Sequence, residues 1–250
     1  MNPTNTANPT GGLPPAVEEM LSGLVAAART CFQDDLRSVV LFGSGAEGRL
    51  RSTSDVNLMF VLRRFDKGRA DAFREPLRLA HVAVRTATMF VLESELPAAA
   101  LAFAVKFDDI QRRHRILYGD DVIAALAISP AAKRQRLQQI LMNLALRLRE
   151  RYAALSLREE QLALVLAETA GPLRSAAATL LELEGKPVAS PREALAAVAA
   201  SVPGTGCTAA LESISAARDS QSLPPGTAVP AMFQLMELVA AMQGRLERLA

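Results

Sequence analysis

A glycine, a hydroxyl, a carboxylate and an amide stand close together between residues 43 and 57. Gly43-Ser44 follows the apolar run SVVLF, and Asp55 and Asn57 open the next apolar run. Gly43 lets the backbone approach a phosphate closely, and Ser44 supplies a hydroxyl and a backbone N–H. A strand would place Asp55 and Asn57 on one face, where their oxygens could hold one Mg²⁺. The spacing therefore predicts a site for phosphate and metal.

The loop between these two runs carries further residues that suit a phosphate. Arg49, Arg51 and Ser54 are the candidates for contacts with phosphate oxygens. A structural explanation stays open for each motif, because a Gly-Ser pair can be a plain tight turn and a Ser-Asp pair is common in turns. The mutual spacing of the two motifs favours a binding site over two unrelated turns.

Short apolar runs alternate with helical patterns in the first half of the chain. Such runs, bounded by Gly or polar residues, predict buried strands. The predicted strands are 38–42, 56–62, 84–92 and 115–119, and helices are predicted over 16–32, 68–80 and part of 94–113.

Strand patterns stop after residue 120, and long amphipathic patterns follow. The predicted helices are 131–154, 157–184 with an interruption at Gly171-Pro172, one that starts at Ser190-Pro191, 207–218 and 229–249. We therefore predict an α+β protein with a small mixed-sheet domain followed by an all-helical bundle. The predicted divisions are a flexible N-terminal arm at 1–15, the mixed-sheet domain at 16–128 and the bundle domain at 129–250.

Composition narrows the function classes. The chain has 250 residues, of which 50% are hydrophobic and 4% aromatic, so the core must consist mainly of Leu, Ala and Val. A formal net charge of +2 is too small to indicate a nucleic-acid partner, and no apolar run is long enough to predict a membrane span. The N-terminus lacks a signal-peptide pattern, and the two distant thiols, Cys31 and Cys207, fit a reducing cytoplasm. The apolar helices would also allow a homodimer.

FGS at 42–44 and SDVN at 54–57 together resemble the nucleotidyltransferase superfamily of the DNA polymerase β type. The pattern of that superfamily is an apolar strand ended by Gly-Ser, a loop, and then Asp-x-Asp or Asp-x-Glu at the start of a strand. Gly48 and Ser52 occupy family-like loop positions, and YGDDV at 118–122 resembles a segment that closes many small bacterial domains of this type. The resemblance covers about residues 17–125 and extends to a bacterial subfamily that carries Ser-Asp-x-Asn.

This resemblance implies a reaction and roles for the site residues. It implies binding of ATP or another nucleoside triphosphate with Mg²⁺, and transfer of the nucleoside monophosphate to a hydroxyl of a small molecule or protein. The Gly43-Ser44 turn would hold phosphates. Asp55 would be the catalytic carboxylate and, with Asn57, a metal ligand, while a third carboxylate would come from a later strand. A helical second half that shapes the acceptor pocket is also common in the superfamily.

The sequence departs from the family pattern in two places. Position 57 is Asn, whose amide oxygen brings no charge, and the strand at 85–92 contains no acid. The acids that could substitute lie outside that strand and are Glu93, Glu95, Asp108 and Asp109. Two interpretations stay open: an active nucleotidyltransferase, or a catalytically degenerate relative that binds nucleotide as a regulator or scaffold. A third is a structural helical protein in which the Gly-Ser turn is incidental.

Overall fold

The structure is a computed structural model that describes residues 12–50, 54–202 and 206–249. The chain forms two compact units, Met1–Leu101 with Lys106–Ala127, and Ala102–Val105 with Ile128–Ala250. The predicted N-terminal arm falls mostly on residues 1–11, which lie outside the described residues. Leu13, near its end, is buried in the core of the first unit.

The first half of the chain alternates helices with strands, as predicted. The elements are α1 (Pro15–Phe32), β1 (Leu36–Phe42), β2 (Val56–Leu62), α2 (Lys67–Val84), β3 (Thr86–Leu92), α3 (Leu96–Ala102), α4 (Ala104–Arg112) and β4 (His114–Gly119). A tight turn of 3-10 geometry, Gly43–Gly45, follows β1 directly. α2 begins at an N-cap, Asp66, whose carboxylate accepts a hydrogen bond from the Arg69 amide at 3.0 Å.

The described strands form one mixed sheet in the order β3-β2-β1-β4. β1 is antiparallel to both β2 and β4, whereas β2 and β3 are parallel. The register pairs Phe42 with Asn57 and with His114, and it pairs Val56 with Thr86. The end of β1 and the beginnings of β2, β3 and β4 therefore lie along the same edge of the sheet.

The apolar core of the first unit combines sheet residues with residues of α1 and α2. Its buried members include Leu21, Leu24, Phe32, Val39, Leu41, Leu58, Phe60 and Phe73. Phe73 meets Phe32 and Phe60 edge to face, with ring centroids 5.2 Å and 5.3 Å away. The few aromatic residues of the chain are thus concentrated where they fix the strands that position the candidate site.

The second half of the chain is helical. Its elements are α5 (Pro130–Leu155), α6 (Glu159–Leu183), α7 (Pro191–Ala200), α8 (Cys207–Ser220) and α9 (Ala228–Glu247). The interruption predicted at Gly171-Pro172 is wrong, because α6 continues through it. A proline inside a helix removes one backbone hydrogen bond, but the residues just beyond it, Leu173 and Ala176, are fully buried and their packing holds the helix together.

The core of the helical unit is built mainly from Leu, Ala and Met. Leu137, Leu166 and Leu173 are fully buried in one cluster, together with Met232 and Met242 of α9. The methionines thus belong to the core. None of the described helices is long and apolar enough to cross a membrane.

Candidate functional site

Those predicted phosphate and metal residues that the structure describes lie along the edge of the sheet where β1 ends. Gly43 and Ser44 form the turn after β1, and Asp55 stands one residue before β2. Arg85 stands one residue before β3, in the parallel neighbour of β2. We call this edge, defined by Gly43, Ser44, Asp55 and Arg85, the Gly-Ser edge.

The Gly-Ser turn is closed by bonds within the protein. Gly43 has φ +72°, a conformation that glycine adopts at little cost. Its amide donates to the Arg113 carbonyl at 3.0 Å, and its carbonyl accepts from the Ala46 amide at 3.1 Å. A Cβ at position 43 would lie 3.8 Å from Asn57 Nδ2, so the Asn57 side chain flanks the turn. The Gly43 amide already donates a hydrogen bond within the protein, so the contribution of Gly43 to the turn is its backbone conformation.

Asp55 is bonded to a cation. Its Oδ1 accepts a hydrogen bond from Arg85 Nε at 3.1 Å, and the two side chains are 51% and 57% exposed. Asn57 Nδ2 donates to the backbone oxygen of Asp55 at 3.3 Å. On β3 the register partner of Asn57 is Ala87, which brings no ligand. Of the residues predicted as metal ligands, the structure therefore offers one carboxylate, and that carboxylate is paired with a guanidinium.

Arg85 was not among the residues predicted from the sequence. It ends α2 in the left-handed conformation, with φ 52° and ψ 51°. Its amide donates to the His81 carbonyl at 2.9 Å, and its carbonyl accepts from the Val56 amide at 3.1 Å. A left-handed conformation costs a residue with a Cβ roughly 1–2 kcal/mol, and these two bonds hold Arg85 in it. The backbone thus fixes Arg85 beside Asp55.

Further charges surround the Gly-Ser turn. The ammonium of Lys106, an exposed side chain, lies 5.8 Å from the centre of the Phe42 ring. Arg113 bonds Asp109 through Nε at 2.9 Å and Glu47 through Nη1 at 3.2 Å. Burial acts to lower the pKa of Arg113, but the hydrogen bonds and charges of Asp109 and Glu47 raise it above its ordinary value. The charged side chain of Arg113 therefore connects α4 to the segment that follows the Gly-Ser turn.

The acids considered as substitutes for the missing third carboxylate are engaged elsewhere. Asp109 bonds Arg113, and Asp108 pairs with Arg112. Glu93 and Glu95 follow the far end of β3, where Glu93 pairs with the Arg37 side chain and Glu95 accepts from a backbone amide. Among the described residues, no group of three or more His, Cys, Asp or Glu side chains could hold a metal ion.

The remaining predicted residues are Arg49, Ser54 and Arg51, of which the structure describes Arg49 and Ser54. The Arg49 amide donates to the Ser44 carbonyl at 2.9 Å, and the Arg49 side chain is exposed. Ser54 is half-buried beside Asp55. Arg51 lies outside the described residues. Gly43, Ser44, Arg49, Asp55 and Asn57 are thus brought to one edge of the sheet.

These side chains do not fit the Mg²⁺ that the resemblance implies. Mg²⁺ takes oxygen ligands, commonly carboxylates, in near-octahedral geometry. The described residues of the Gly-Ser edge offer one carboxylate, which bonds a guanidinium, and one neutral amide. Arginine cannot give up its charge in a protein, so its cation competes with a metal for Asp55.

Comparison with known proteins supports the fold. No protein-family model matches the chain, and no curated protein matches its sequence. The crystal structure of spectinomycin adenyltransferase AAD(9) from Enterococcus faecialis, with ATP and spectinomycin, matches with a TM-score of 0.65 and 13% sequence identity. The match covers 92% of this chain and 99% of that chain, so it includes the helical half. The chain therefore has a nucleotidyltransferase-like fold, with a mixed-sheet part followed by a helical part.

Proposed function

We propose that this chain is a nucleotide-binding protein with a nucleotidyltransferase-like fold that does not transfer nucleotides. The nucleoside triphosphate would bind at the Gly-Ser edge. The observation that carries this proposal is the ion pair between Asp55 and Arg85, with 3.1 Å between Oδ1 and Nε. In a nucleotidyltransferase this carboxylate would bind a metal, and here its partner is a guanidinium, which supports binding without transfer.

The charge balance supports binding without transfer. Metal-dependent phosphoryl transfer uses cations held by several acids, which neutralise charge at the reacting phosphate. Here Asn57 lies two residues beyond Asp55 on β2, and its register partner on β3 is Ala87; neither side chain is charged. Even at the dielectric of water, a dication and a unit charge about 5 Å apart repel by about 2 kcal/mol. Arg85 therefore disfavours a metal ion at Asp55.

The Gly-Ser edge carries exposed cations that could bind an anion. Arg49 and Lys106 are exposed cations near the turn, and Arg85 is more than half exposed. Arginine presents five N–H donors, and Asp55 engages Nε. An exposed ion pair contributes about 0–1 kcal/mol, so phosphate oxygens can replace Asp55 as the partner of Arg85. The adenyltransferase of similar fold was solved with ATP, which supports a nucleotide as the anion.

A second candidate function is transfer of a nucleoside monophosphate to a small-molecule hydroxyl, with Asp55 as the catalytic carboxylate. The observation that favours it is the coverage of the adenyltransferase comparison, which spans 92% and 99% of the two chains. Spectinomycin, which is bound in that structure, is the first acceptor to test.

Two measurements separate these functions. Calorimetry with ATP in EDTA and in Mg²⁺ should show binding in both, with no gain from the metal. Incubation of the protein with ATP labelled at the α-phosphate, Mg²⁺ and spectinomycin should release no pyrophosphate and label no product. Pyrophosphate release that Asp55→Ala abolishes would establish the second function instead. Failure of ATP to bind in either buffer would exclude both.

A further inference from the structure

A cleft in the helical unit has the features of a second, separate binding site. It has a volume of about 410 Å³ and lies between α6, α7 and α8. Ligand sites for small molecules usually measure about 300–1,000 Å³, so the volume of this cleft suits a small ligand. The candidate residues of the Gly-Ser edge belong to the other compact unit.

The floor of the cleft is apolar. Leu195 of α7 and Ile214 of α8 line it and are almost completely buried in the helical core. Leu211 also lines the cleft and packs against that core. Contact with such side chains is favourable for an apolar ligand body, because it removes apolar surface from water.

The mouth of the cleft carries two arginines on different helices. Arg174 of α6 donates through Nη2 to Ser215 Oγ of α8 at 3.3 Å, which fixes it against the wall. Arg192 of α7 is exposed and makes no hydrogen bond or ion pair with any described residue. It is the second residue of its helix, after the N-cap Ser190 and Pro191. A cation there opposes the helix dipole, so Arg192 gives α7 no electrostatic stabilisation.

The residues of α7 and α8 that line the cleft are spaced so that they share one face of each helix. Arg192, Leu195 and Ala196 are spaced i, i+3 and i+4 on α7 and share one face. Thr208, Leu211, Glu212 and Ser215 form a stripe at i, i+3, i+4 and i+7 on α8. Each wall therefore combines polar groups at the mouth with apolar side chains deeper in the cleft.

The net charge of the side chains that line the cleft favours a negatively charged ligand. Two arginines and one glutamate give the lining a net charge of +1. A guanidinium fits a carboxylate through two parallel hydrogen bonds. Glu212 adds a negative charge that disfavours a dianionic head such as a phosphate monoester.

We propose that this cleft binds a small amphiphilic carboxylate. The carboxylate head bonds Arg192 and Arg174, and the apolar body lies on Leu195, Leu211 and Ile214. All residues that line this site belong to the helical unit.

Calorimetry on the full chain with octanoate tests the proposal, since octanoate combines one carboxylate with an apolar body that the cleft can hold. Octanoate should bind, and 1-octanol and octylammonium should bind at least tenfold more weakly, because they lack the anionic head. Equal binding of either comparison ligand would overturn the proposal, as would failure of octanoate to bind.

Two variants place the binding in this cleft. Arg192→Gln should weaken octanoate binding about tenfold or more, and Ala196→Phe should abolish it by filling the cleft. The matched control is Arg149→Gln, which removes an exposed arginine of α5 that does not line the cleft. Unchanged octanoate affinity in Arg192→Gln would overturn the proposal, and because Arg192 is exposed this variant does not put the fold at risk.

Discussion

Replacing Asp55 with Asn should strengthen ATP binding in EDTA and in Mg²⁺, whereas at a metal-dependent site it would weaken binding in Mg²⁺. The variant removes the negative charge that lies 3.1 Å from Arg85 Nε, although the amide oxygen of Asn can still accept this hydrogen bond. Both side chains are about half exposed, at 51% and 57%, so the pair itself contributes only about 0.2–1 kcal/mol. Removing a negative charge about 7 Å from each phosphate charge adds about 0.6 kcal/mol per charge at the dielectric of water. Counting only the two nearest phosphate charges, a total of about 1–2 kcal/mol lowers the Kd about 5- to 30-fold.

Arg85 variants should change the affinity in the opposite direction. Arg85→Gln removes the charged partner of the phosphates, which is worth about 1.5–3 kcal/mol for a hydrogen bond to a charged group. ATP binding should weaken about 10- to 150-fold. The ATP affinity of Arg85→Lys should lie between those of wild type and Arg85→Gln, because lysine keeps the charge but lacks the planar pair of donors.

Titration calorimetry at low ionic strength, with EDTA and with Mg²⁺, measures these changes. Glu19→Gln is the control for net charge, since Glu19 is an exposed acid on α1. The ATP affinity of Glu19→Gln should equal that of wild type. The reasoning is refuted if Asp55→Asn weakens ATP binding in Mg²⁺, or if wild type binds ATP in Mg²⁺ and not in EDTA.

Two further predictions concern stability. Gly119→Ala should lower the free energy of unfolding by about 3 kcal/mol or more, because φ is +78° and a Cβ would lie 2.1 Å from a backbone oxygen of β1. The control is Gly185→Ala, since Gly185 has φ +72° but a Cβ there would meet nothing within 4 Å. This control should cost only about 1–2 kcal/mol, and urea unfolding measures both variants. The pKa of Glu184 is lowered by its hydrogen bond from Arg245, against the effect of burial. Its charged form therefore stabilises the fold above the ordinary pKa of 4.5, and this contribution is lost as the pH falls through the lowered value. Glu184→Gln should be about 1–2 kcal/mol less stable than wild type at neutral pH, and this difference should narrow as the pH falls below 4.5, as urea unfolding across pH would show.

Local patterns were sufficient to predict the strands and the turn. The run at 56–62 matches β2 residue for residue, and Gly43 has the positive φ that its place after β1 required. These features depend on neighbours in sequence: β-branched apolar runs, and a residue without a Cβ where the chain turns. The helices of the second half followed from apolar periodicity in the same way.

The ion pair at Asp55 could not be predicted in this way. Arg85 and Asp55 are 30 residues apart, and they meet because β3 pairs in parallel with β2 in a register that sets Thr86 beside Val56. A single sequence does not give that register. The continuous helix through Pro172 has a similar cause, since burial of the following residues outweighs the local preference.

The bonds of Arg113 also bear on the entropy of binding. Its carbonyl holds the Gly43 amide, and its guanidinium holds Glu47 and Asp109. Opening the Gly-Ser turn would break several of these bonds around a side chain that is only 21% exposed. The turn is therefore pre-organised, and a ligand that bound at Gly43–Gly45 would not lose free energy to ordering this turn. Arg113 would thus raise the affinity for such a ligand by keeping one conformation of the turn populated.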